Sequence, residues 1–127
     1  MKLLSQATYL LLALFLISAP VNAGEGHHHM KTMANILMHL NHYPSDDEKV
    51  MLKKIVNDSH ASNEERVIAA AMINLHHSAS NADKGKLKNI MNDSSASSNS
   101  KTLAKIIHGL SHKPSSSDRK HLAKIAN

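Results

Sequence analysis

Apolar residues return along this chain in a helical rhythm. Met33, Ile36, Leu37 and Leu40 stand at i, i+3, i+4 and i+7, one stripe of a helix. Ile68, Ala71, Met72 and Leu75 repeat the stripe, and Leu103, Ile106, Ile107 and Leu110 repeat it again. A narrower stripe follows each: Leu52, Ile55 and Val56, then Leu87, Ile90 and Met91, then Leu122, Ile125 and Ala126. The spacing is 35 residues throughout, without a gap. A fixed period of this size marks a repeat architecture with one supersecondary unit per copy.

The polar segments agree with the stripes. Leu40-Asn41-His42-Tyr43-Pro44-Ser45 recurs as Leu75-His76-His77-Ser78-Ala79-Ser80 and as Leu110-Ser111-His112-Lys113-Pro114-Ser115. Ser45 followed by Glu48, and Ser62 followed by Glu65, are capping boxes. Ser80 with Asp83 and Ser115 with Asp118 are shorter-armed versions. Pro44 and Pro114 end the helices before them, because the residue preceding a proline avoids the α region. The spacing predicts six helices near 30–41, 46–57, 63–76, 81–92, 99–111 and 116–126. The fold class is therefore all-α: three helix-turn-helix repeats, about 30–62, 63–97 and 98–127, forming a short α-solenoid or a compact six-helix array. The tetratricopeptide and ankyrin signatures are absent.

The first 23 residues have the make-up of an export signal. Lys2 precedes an apolar run from Tyr9 to Ala19, Pro20 breaks it, and Val21-Asn22-Ala23 offers small residues for cleavage after Ala23. The run is short for a membrane span. The expectation is a periplasmic or secreted protein, not integral to the membrane once cleaved. Residues 24–29, with no apolar face, read as a flexible His-rich leader.

Composition narrows the function classes. There is no cysteine, so thiolate nucleophiles, thiolate metal sites and disulfides are excluded. Tyr43 is the only aromatic residue beyond the signal, which argues against base-stacking recognition of nucleic acid. The formal charge is +5, and the last repeat carries most of the excess. Lys120 and Lys124 there could touch an anionic surface, but with so modest a charge a solvated basic face is the preferred reading. Asn57-Asp58-Ser59 and Asn92-Asp93-Ser94 have the form of glycosylation sequons, which matter only in a eukaryotic source. No phosphate-binding loop, nucleophile elbow or His-Glu-x-x-His motif is present, so no catalytic function is expected.

Eleven histidines are the chemistry on offer. His27, His28 and His29, with Met30, could hold Cu, Ni or Zn. His108 and His112 at i, i+4, and His39 and His42 at i, i+3, could each chelate one ion from a single helix face. His42, His77 and His112 occupy the same turn in every copy. In stacked helical pairs, equivalent atoms lie ~10 Å apart, a helix diameter, too far to share an ion. On that geometry all three read as structural turn residues, with Ser45, Ser80 and Ser115. Stacked helical pairs commonly offer a binding face. The first expectation is therefore a non-catalytic module for an unknown protein or peptide partner, using positions that vary between copies: His39, Met51, Lys86 and His121. The alternative is a metal-binding or metal-buffering protein using the His-rich tract.

Overall fold

The computed structural model describes residues 23–127, and the expected export signal otherwise lies outside the described residues. Six helices follow in order: α1 (Ala23–Met38), α2 (Asp46–Asn57), α3 (Asn63–Ile73), α4 (Asn81–Asn92), α5 (Ser98–His108) and α6 (Ser116–Ala126). The four serines predicted from the sequence, Ser45, Ser62, Ser80 and Ser115, cap α2, α3, α4 and α6, and Ser97, which was not predicted, caps α5. Ser45, Ser62, Ser80, Ser97 and Ser115 each accept a backbone N–H from the residue three positions on. Ser45–Glu48, Ser62–Glu65 and Ser115–Asp118 close full capping boxes. The Asp83 carboxylate accepts instead from the Ser80 hydroxyl at 2.9 Å and from Asn74 Nδ2 at 3.3 Å.

The repeats do not stack in a line. The first helices of the three copies, α1, α3 and α5, pack on one another around a common axis. Each second helix packs most closely on the first helix of the next copy: α2 on α3, and α4 on α5. The sixth helix packs just as closely on α1, so the end of the chain closes onto its beginning. The result is a closed array with pseudo-threefold symmetry, and of the two expected arrangements it is the compact one.

The threefold is visible in the core. Met33, Ile68 and Leu103 are fully buried, as are Leu37, Met72 and Ile107, and Leu52, Leu87 and Leu122. Ala34, Ala69 and Ala104 are also at 0% exposure, and a methyl at each lets the three inner helices approach closely. Large-to-small changes at such sites cost about 2–5 kcal/mol, so these layers fix the axis firmly. No helix among the described residues is long and apolar enough to cross a membrane.

The first helices of the copies end sooner than their apolar stripes suggest. α1, α3 and α5 stop at Met38, Ile73 and His108, not near Asn41, His76 and Ser111. The chain then turns sharply at the repeated histidine. This is what brings the site together.

Candidate metal centre

His42, His77 and His112 have φ of 80°, 64° and 64°, and they are the non-glycine residues with positive φ among those described. The Ser78 N–H donates to the His76 carbonyl at 2.7 Å, and Lys113 N–H to that of Ser111 at 2.8 Å. Bonds from i+2 to i across a residue of positive φ are the strained form of the γ-turn. Buried Pro44, Ala79 and Pro114 anchor the far side of each turn, and Leu40, Leu75 and Leu110 the near side.

The three turns meet on the axis through a cycle of backbone hydrogen bonds. His42 N–H donates to His112 O at 3.0 Å, His77 N–H to His42 O at 3.1 Å, and His112 N–H to His77 O at 2.6 Å. A residue in the ordinary helical or extended regions would not aim its N–H and C=O this way, so the strain is part of how the copies are joined.

The side chains converge as well. Nδ1 of His42 lies 3.1 Å from that of His77 and 3.2 Å from that of His112, and the last two are 3.0 Å apart. The rings meet edge to face, with centroids 4.8–5.2 Å apart, so the Nδ1 atoms are the inward corners. His42 is half-buried, and His77 and His112 are exposed.

Three nitrogens at this spacing cannot all be hydrogen-bonded to each other. A ring nitrogen either carries a proton and donates or carries a lone pair and accepts. Around a triangle at least one pair must be alike, donor against donor or lone pair against lone pair. A cation at the centre removes the conflict, because all three lone pairs then point inward. The chemistry of the donor set suits a borderline metal ion such as zinc, nickel or copper. These three are the group of His, Asp or Glu among the described residues whose ligand atoms converge, and no carboxylate joins them.

This corrects the spacing argument from the sequence. Equivalent atoms are a helix diameter apart when copies are related by translation. When copies are related by rotation, residues near the axis converge. The same closure changes the other candidates. His112 is no longer i, i+4 from His108 on one helix, because α5 ends at His108. His39 and His42 likewise lie beyond α1, and the His39 ring bonds the Asn35 carbonyl at 2.9 Å.

Residues 24–29, expected as a flexible leader, lie within α1, which runs from Ala23 to Met38. His27 and His28 are exposed, while Met30 belongs to the core. His29 is buried between two carboxylates, with Nδ1 3.2 Å from Glu65 Oε2 and Nε2 3.1 Å from Asp58 Oδ2. Both nitrogens can donate at once only in the imidazolium form. The four residues therefore do not form one chelate. Glu65 also accepts from the Ser62 backbone at 2.9 Å. The sequence shows that capping role but not its second one, tying α1 to α3. The Asp58 carboxyl is held below its usual range, first by the His60 backbone N–H and then by the His29 and His60 charges.

The variable positions expected to form one binding face are spread around the ring. Met51 lines a cleft with Thr32 and His39, Lys86 one with Asn63 and Val67, and His121 one with Thr102 and Lys105. Each cleft lies between the two helices of its own repeat. Lys120 and Lys124 are exposed on α6.

No protein-family model matches the chain, and neither the curated proteins nor the solved structures give a match.

Proposed function

We propose that this chain is a transition-metal-binding protein that holds one divalent ion on its pseudo-threefold axis, through Nδ1 of His42, His77 and His112. One observation carries the reading: three Nδ1 atoms within 3.0–3.2 Å of one another, on three residues that all adopt positive φ. Strained backbone costs on the order of 1–3 kcal/mol per residue and clusters where function demands a geometry. Glycine would meet the backbone requirement with less strain, yet each copy carries histidine there. Zinc, nickel and copper(II) fit the donor set, and the absence of cysteine makes the site insensitive to thiol oxidation. That property suits the exported, oxidising location expected from the N-terminal segment.

Zn(II) and Cu(II) titrations of the full chain, read by calorimetry, test the proposal. One ion per chain should bind, and the binding should vanish in His77→Gly. Metal uptake that persists in the variant would move the site elsewhere.

A second reading, a peptide- or protein-interaction module, draws support from Val50 and Met51, which remain 53% and 42% exposed on α2. Substituting both with Glu should abolish partner capture without changing metal uptake. If capture is unchanged, α2 is not the contact.

A further inference from the structure

Resting on the metal reading above, we infer that an ion in this triad keeps an open coordination position toward solvent and takes its fourth ligand from outside the chain, as water or a small monodentate anion. The triangle itself sets the geometry. With sides of 3.0–3.2 Å, its centre is ~1.8 Å from each nitrogen, shorter than the ~2.0–2.1 Å of a zinc–imidazole bond. The ion therefore sits above the nitrogen plane, by ~1 Å for bonds of that length. Three nitrogens then cap it as a pyramid and leave the apex free.

The side on which the apex lies follows from the turns. The three histidines close their own backbone cycle, with N···O distances of 2.6–3.1 Å, and this ring has no room for an ion. Beneath it are Leu40, Leu75 and Leu110, at most 5% exposed. The His77 and His112 side chains are exposed, so the ion is displaced outward. No other His, Asp or Glu ligand atom among the described residues reaches the cluster. Three neutral imidazoles leave the charge of a divalent ion uncompensated, and Lys113 beside His112 adds no counter-charge. An anion is the fourth ligand this electrostatics favours. A site with three protein ligands and an exchangeable position is the open kind, in contrast to closed four-ligand structural sites.

Cobalt(II) serves as the probe, because its visible d–d bands report coordination number and ligand exchange. The full chain is loaded with one equivalent and titrated with azide and with thiocyanate. The expected result is an intense four-coordinate spectrum that shifts saturably with each anion, one anion per cobalt. A triad-dependent spectrum that ignores both anions overturns the inference while leaving the metal site standing. No cobalt spectrum before any anion is added, or one unchanged in His77→Gly, overturns the metal reading and this inference with it.

Discussion

Replacing His77 with glycine separates a ligand from a structural turn residue, because the two roles predict opposite effects on the metal-free protein. His77 has φ 64° and its side chain is exposed, so little packing is lost with the ring. An L-residue in this region costs roughly 1–2 kcal/mol, which glycine avoids. Glycine's greater freedom in the unfolded chain returns about 0.5–1 kcal/mol of that gain. The backbone bonds from His77 N–H to His42 O and from His112 N–H to His77 O need no side chain and persist. The repulsion among the three Nδ1 atoms disappears as well. The apo variant should thus be as stable as the wild type or up to ~1.5 kcal/mol more stable, a rise of at most about 6–12 °C in Tm. With zinc at a hundredfold excess over Kd, the wild type should gain about 2.7 kcal/mol, and the variant should gain nothing. Differential scanning fluorimetry with and without zinc reads both effects. An apo variant destabilised by more than ~2 kcal/mol would mean that the imidazole holds the turn together, and the ligand reading of the strain would be wrong.

Three further outcomes follow from the rest of the structure. His29→Ala leaves Glu65, 4% exposed, without its buried partner, and should lower stability in urea by about 1–3 kcal/mol with one ion still bound. His27→Ala with His28→Ala, both exposed on α1, should change stability by less than ~0.5 kcal/mol each and leave the first metal equivalent in place; loss of that equivalent would return the site to the N-terminal tract. The Asp93 carboxyl is held below its usual range by the Ser95 hydroxyl and backbone N–H, so its stabilisation is present above the unfolded value of about 4 and is lost as pH falls through the folded one. Asp93→Asn should therefore differ from the wild type at neutral pH and converge with it in acid, measured by urea unfolding across pH.

The six helices, and the starts of α2 to α6, were legible because period and polar breaks pointed to the same places. Ser45, Ser62 and Ser115 open their helices as the capping-box pattern requires. The closure of the ring was not legible. Leu37, Met72 and Ile107 would be buried in an open stack or around an axis, and the stripe cannot tell translation from rotation. The convergence of His42, His77 and His112 depends entirely on that distinction. A signal was present nonetheless: one metal-ligand residue type, in one turn, in all three copies. The early ends of α1 and α5 were hidden because Leu40 and Leu110 continue the apolar stripe past the last helical turn. They are buried by the turn, not by the helix. The pairing of His29 with Asp58 and Glu65 joins residues far apart in sequence, and composition alone made that histidine look like part of a solvated tract.

The most direct measurement is anomalous diffraction at the zinc edge on crystals of the full chain grown with one equivalent of zinc. One peak is expected on the pseudo-threefold axis, bonded to Nδ1 of His42, His77 and His112 at about 2.0–2.1 Å. A peak at His27 or His28 instead, or no peak among the three turns, would contradict the metal centre.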